Sequence, residues 1–288
     1  MRTPWKRQTS GSTVCRSCGR LVGVKDERCF HCGQRNPGLF GIGPMLRALG
    51  EDLGFGKLVI TVCLALYLIG LAMDPSGMTS GGLLGLLSPT PESNFLLGSS
   101  GGFPIFAAGR WWTPLSAGWL HGGLLHIGFN LYWCSMLAPA VARLYGPGRA
   151  AILFVGSSAA GFVLTSVVFA YFSFLPGFLQ GAYNTVGASA AIFGWIGALI
   201  HYGRRSGSRL LEQQMMGFVL PMLILGLLVP FVDNWAHIGG LAGGYGLARW
   251  LDPLKQERLD HVVVGLGLVV LSLVAVAVSW ATGHQFLR

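Results

Sequence analysis

The chain has 288 residues, 52% of them hydrophobic and only 11% charged, with a mean hydropathy of +0.57 and a formal net charge of +9. Soluble domains carry about a quarter charged residues, so this composition excludes a single water-soluble globule and points to an all-α polytopic membrane protein. Ten of the 20 Lys and Arg precede residue 58; beside a membrane domain such a cluster speaks for cytosolic placement near anionic lipid rather than for nucleic-acid binding.

Residues 1–14 are polar and read as a flexible N-terminus. Residues 15–36 carry Cys15-x2-Cys18 and Cys29-x2-Cys32. Two such knuckles about ten residues apart supply four soft ligands for tetrahedral zinc. The segment has little apolar content, so a structural Zn2+ would supply its folding energy. Two disulfides are the rival reading, disfavoured in a reducing cytosol. A cytosolic protein is the partner expected for this ribbon. Residues 37–56 form a Gly-containing, partly amphipathic linker. The first long apolar run begins near Leu58, too far along to be a signal peptide.

Apolar spans follow at about 57–73, 121–144, 148–172, 187–203, 214–231, 235–250 and 261–281, each long enough for a hydrocarbon core of about 30 Å. They make up a transmembrane domain over 57–281, leaving 282–288 as a tail. Cys63 and Cys134 lie within spans and read as small core residues. Residues 74–120 form a long Gly/Ser/Pro-rich connection whose Trp111, Trp112 and Trp119 suit a membrane interface. With the N-terminus inside and seven alternating spans, eighteen of the 20 cations fall on the inner side, leaving Arg110 and Arg288 outside. That is the positive-inside pattern. It places the C-terminus on the extracytoplasmic side.

The same alternation sends spans two, four and six from outside to inside, so their N-terminal turns lie at similar depth. Those turns hold His126 and Asn130, Ser189, and His237. Polar groups at that depth are costly and usually functional or paired. Ser189 is flanked by Gly187, Ala188, Ala190 and Ala191, which admit a close neighbour. Gly240 and Gly244, in register with Ala236, make a flat face on the helix that carries His237. Close packing of the two would give a hydroxyl nucleophile and its imidazole base. His126 and Asn130, four apart on one helix face, would donate to the oxyanion of a tetrahedral intermediate. Asp233 reads as the N-cap of span six rather than as a third catalytic member. No acid lies within a span, which weakens a proton-relay transporter, and His121-x4-His126 lacks the spacing and the Glu of a zinc metalloprotease.

His121-x4-His126-x3-Asn130, Gly187-x-Ser189 and Ala236-His237-x2-Gly240-x3-Gly244, in that order over about 57–250, resemble the signatures of the rhomboid intramembrane serine proteases, with a seventh span appended as in the six-plus-one type. The resemblance implies a Ser189/His237 dyad without a required acid or a catalytic cofactor, His126 and Asn130 at the oxyanion, and Phe193 stacked on the catalytic imidazole. It also implies that residues 74–120 form a half-immersed loop. It further implies transmembrane protein substrates with helix-destabilising segments, cut near the outer face of the bilayer, and a bacterial inner membrane as location. A non-catalytic relative that binds membrane helices as a chaperone or adaptor is the alternative. Two positions depart from the pattern. Ala190 stands where the family usually has Gly, and the Trp-Arg pair of the first loop aligns with Trp112-Thr113, Arg110 lying nearby.

Overall fold

The computed structural model describes residues 6–15, 18–43, 45, 50–78, 85–229 and 232–286. The first five residues, the two between Cys15 and Cys18, parts of the linker and of the first loop, the end of the fifth span and the last two tail residues lie outside the described residues. The chain divides into two compact units, Met1–Gly54 and Phe55–Arg288.

In the first unit a hairpin of β1 (Ser12–Val14) and β2 (Leu21–Gly23) sets Thr13 opposite Val22 in antiparallel register. Both of these side chains are buried, whereas Val14 and Leu21 are exposed, as the period of two in a strand requires. Each cysteine pair is followed by a glycine in left-handed conformation, Gly19 (φ +71°) and Gly33 (φ +73°). The two knuckles close alike: Gly19 N–H donates to the Cys15 carbonyl and Gly33 N–H to the Cys29 carbonyl, each at 2.9 Å. The hairpin runs on into the first knuckle, where the Arg20 carbonyl accepts from Cys15 N–H at 2.8 Å.

Among the described residues, the second unit holds seven long helices: α1 (Phe55–Met73), α2 (Leu124–Tyr145), α3 (Pro147–Tyr171), α4 (Ser189–Ser206), α5 (Arg209–Leu228), α6 (Asn234–Trp250) and α7 (Leu259–Gly283). By length and composition, five helices among the described residues are apolar enough to cross a membrane: α1, α2, α3, α5, and α7 with the turn that follows it. The other two, α4 and α6, are the glycine-rich helices that carry Ser189 and His237. From Ala190 to His201 every residue of α4 is buried, so this helix is solvated by protein rather than lipid and needs less hydropathy of its own.

Between α1 and α2, the short helix Pro91–Leu97 is capped at its start by the Thr90 hydroxyl, which accepts from Ser93 N–H at 3.2 Å, and at its end by Gly98 (φ +106°). At the far end of the bundle Arg149 stitches the α6–α7 connection to the start of α3. Its guanidinium donates to the carbonyls of Lys255 (2.6 Å) and Gln256 (3.0 Å) and to His261 Nδ1 (3.2 Å). Its own N–H, in the unsatisfied first turn of α3, donates to the Glu257 carboxylate at 2.8 Å.

The closest helix seam joins α4 to α6. A methyl on Gly240 would collide with the Ala190 carbonyl, and one on Gly244 with the Gly194 carbonyl; in return, one on Gly197 would strike the Leu241 carbonyl. Backbone lies on backbone here, as small residues permit between membrane helices. A third helix joins through Gly161 of α3, where a methyl would meet the Ala236 carbonyl. Around a Gly246 Cβ, by contrast, nothing lies within 4 Å. Gly244→Ala is therefore expected to lower the melting temperature of the detergent-solubilised protein, at an overpacking cost of roughly 1–3 kcal/mol. Gly246→Ala, which only gains helix propensity, should leave the melting temperature unchanged or raise it.

Candidate active site

Three helix starts and one loop assemble the site. Ser189 is the first residue of α4, after Gly187 in a conformation (φ +139°) reserved for glycine and Ala188 at the N-cap. Starting a helix at the serine leaves the first-turn N–H groups of α4 without intrahelical partners and places the positive end of its dipole beside the hydroxyl. On α6, the Asp233 carboxylate caps the helix by accepting from Ala236 N–H at 3.0 Å. One residue further, His237 is buried beneath the seam.

His237 Nε2 lies 2.9 Å from Ser189 Oγ. The Phe193 ring, one turn along α4 from the serine, stacks on the imidazole at 4.3 Å between centroids and 9° between planes. The other ring nitrogen, Nδ1, is buried with no hydrogen-bond partner among the described residues, so no acid orients the imidazole. Packing against Phe193 and the short link to Ser189 hold it instead.

His126, near the start of α2, has its Nδ1 facing Gly122 N–H, which donates to it at 3.3 Å. In the neutral ring the proton then sits on Nε2. That nitrogen would stand 2.7 Å from a Cβ built on Gly187, and the same Cβ would stand 3.5 Å from Ser189 Oγ. The missing side chain of Gly187 is thus the space between a ring N–H donor and the serine hydroxyl. Asn130 lies one turn further along α2, on the same face as His126. Its side-chain amide donates back to the His126 carbonyl at 2.8 Å, and it makes no hydrogen bond to Ser189 or His237 among the described residues. His121 lies against His126 with ring centroids 5.2 Å apart. His201 and His284 belong to other surroundings, against Tyr245 and Trp280 respectively.

In the first unit the ligand atoms of Cys15, Cys18, Cys29 and Cys32 all lie within 4.8 Å of one another. Cys15 and Cys32 sulfurs are 3.8 Å apart, those of Cys18 and Cys29 3.7 Å. Thiolates at about 2.3 Å from a tetrahedral ion would be roughly 3.8 Å apart, so the cluster fits a metal ion. His31 stands apart from it, exposed and 3.0 Å from the Arg20 guanidinium.

The Rhomboid domain profile matches residues 108–253, just over half of the chain. The chain belongs to the rhomboid family. It is 33% identical to Rhomboid protease GluP of Bacillus subtilis over 173 residues, which cover 58% of this chain and 32% of that protein. It is 28% identical to RHOMBOID-like protein 7 of Arabidopsis thaliana over 198 residues (64% of this chain, 58% of that protein). With RHOMBOID-like protein 4 of the same plant it shares 32% identity over 139 residues, covering 46% of this chain and 32% of that protein. The chain thus spans about a third to three fifths of these relatives. Membership of the rhomboid family, with the apolar helices, makes it an integral membrane protein of an intramembrane protease family.

Within this rhomboid, several residues of the site's surroundings escaped the sequence reading. Of Arg110 only the place was legible there, three positions upstream of Thr113. It is buried, donating to the Phe95 carbonyl (2.7 Å) and the Ser279 carbonyl (2.8 Å), with its guanidinium 4.2 Å over the Phe95 ring. Main-chain bonds then lace the first loop to the segment leading into Ser189. Ser100 and Thr185 exchange a pair, Gly102 N–H reaches the Ala182 carbonyl, and Gly187 N–H reaches the Ala117 carbonyl at 3.0 Å. Backbone partners leave no side-chain pattern to find. Gly187→Ala should strain the loop and push His126 aside; labelling of the purified protein by a fluorophosphonate is expected to slow by about 10²-fold or more, on the scale of one lost oxyanion donor.

Proposed function

We propose that this rhomboid is a serine endopeptidase that cleaves transmembrane protein substrates with Ser189 as nucleophile and His237 as general base and acid. The observation that carries this reading is the 2.9 Å contact between Ser189 Oγ and His237 Nε2, at the N-terminus of one helix and under a stacked aromatic ring. His237 Nε2 takes the hydroxyl proton as Oγ attacks the scissile carbonyl. The negative oxygen that forms is stabilised by the N–H groups at the start of α4 and by His126 Nε2–H. Collapse breaks the C–N bond, with the proton passing from His237 to the leaving amine. A water molecule, deprotonated by the same imidazole, then releases the acyl group from Ser189. Asn130 supports this indirectly, holding the His126 turn through its carbonyl. A substrate helix hides its amides, so a locally unwound segment must enter.

The charge asymmetry of the loops supports an N-terminus in the cytoplasm, a C-terminus outside and the dyad toward the outer face of the membrane, and the family resemblance favours a bacterial inner membrane. The cysteine cluster then faces a reducing compartment, which favours a structural zinc ion over disulfides and a cytosolic protein as the ribbon's partner.

Purified wild-type protein in proteoliposomes should cleave a model transmembrane substrate, and Ser189→Ala or His237→Ala should each lower kcat by about 10⁴-fold or more. Persistent cleavage by Ser189→Ala would overturn the assignment. Elemental analysis of the full chain is expected to find one zinc per protein, and none after Cys18→Ser with Cys32→Ser.

A further inference from the structure

The last helix, α7, crosses an otherwise apolar stretch with only two buried hydroxyls, Ser272 and Ser279. They are seven residues apart, two turns, and so share one face. Both accept from tryptophans of the first loop. Trp119 Nε1–H donates to Ser272 Oγ at 2.9 Å and Trp112 Nε1–H to Ser279 Oγ at 3.0 Å. The Ser279 carbonyl, as shown above, is also an acceptor of Arg110. Arg110 has no carboxylate partner among the described residues; its charge is compensated by two main-chain carbonyls and the Phe95 ring. A buried guanidinium tolerates this only where the carbonyls are held in place.

The clamp leads to the nucleophile by two short routes. Trp119 lies two residues after Ala117, whose carbonyl holds Gly187 N–H. Arg110 is followed by Thr113, whose hydroxyl bonds the Arg110 carbonyl (2.9 Å) and Ser100 Oγ (3.3 Å), and Ser100 is paired with Thr185. Both routes end within four residues of Ser189, at the loop that leaves room for the developing oxyanion.

We propose that α7 is a positioning element of the active site: Ser272 and Ser279, through Trp119, Trp112 and Arg110, set the first loop and thereby the Gly187–Ser189 turn. The inference rests on the dyad reading for its catalytic consequence, and its geometry can be tested without it. The full-chain double variant Ser272→Ala/Ser279→Ala keeps the helix and removes both indole acceptors. Arg110→Met removes the guanidinium, and Arg110→Lys keeps the charge.

Hydrogen–deuterium exchange of the Thr185–Ser189 amides should accelerate in the double variant and in Arg110→Met, and recover in part in Arg110→Lys. In cleavage assays kcat should fall roughly 10- to 100-fold, the scale of a small misplacement. KM should stay within about twofold, and the pH dependence should be unshifted because His237 keeps its neighbours. Unchanged exchange at those amides, or a kcat loss that merely follows the unfolded fraction on melting, would overturn the proposal. Cleavage that survives Ser189→Ala would instead sink the dyad and leave the exchange result to decide the role of α7.

Discussion

A hydroxyl on one helix and an imidazole on another can share a proton only if the two backbones approach more closely than ordinary side chains allow. Here that approach is made by carbonyl oxygens seated against α-carbons, at Ala190 over Gly240 and Gly194 over Gly244. In hydrocarbon there is no hydrophobic force to press helices together, so association relies on van der Waals fit and polar contacts. Such a flat face supplies the fit over a long contact. The 2.9 Å contact between Ser189 and His237 forms where this seam sets the two helices in register.

The second constraint is satisfaction of backbone groups. The loop before Ser189 and the loop after α1 are both irregular, and irregular backbone at membrane depth is tolerated only where its polar groups find protein partners. They find each other, through the Ser100–Thr185 pair and the Gly187–Ala117 bond. Arg110 meets the same need from the side-chain direction, by donating to carbonyls of the short helix Pro91–Leu97 and of α7. The first loop is thus part of the protein's interior framework, although it contains little regular structure.

Much of this was legible in the sequence, for reasons that differ by residue. Ser189, His237 and the glycines stand out because polar and very small residues are conspicuous against leucine and valine, and the spacing of Gly240 and Gly244 names a helix face. The stretches expected to span the membrane coincide with long helices, yet length and composition single out only five of them among the described residues, because α4 is surrounded by protein and α6 is short and rich in glycine. Asp233 behaves as the cap its position suggested. Asn130 showed its helix and its face but not its hydrogen bond, since a side-chain amide on a helix can turn back to the carbonyl four residues earlier. The strand Ser12–Val14 was hidden because three residues are too short for an alternation to register.

The seam between α4 and α6 has one more property. Side chains in most protein interfaces exchange rotamers as temperature rises, and that exchange slowly loosens the distances they define. A contact made of main-chain atoms has no rotamers to populate. The spacing of the two backbones that carry Ser189 and His237 is therefore set by bond lengths and helix pitch. Warming would leave it nearly constant until the helices part altogether, an all-or-none failure rather than a gradual drift.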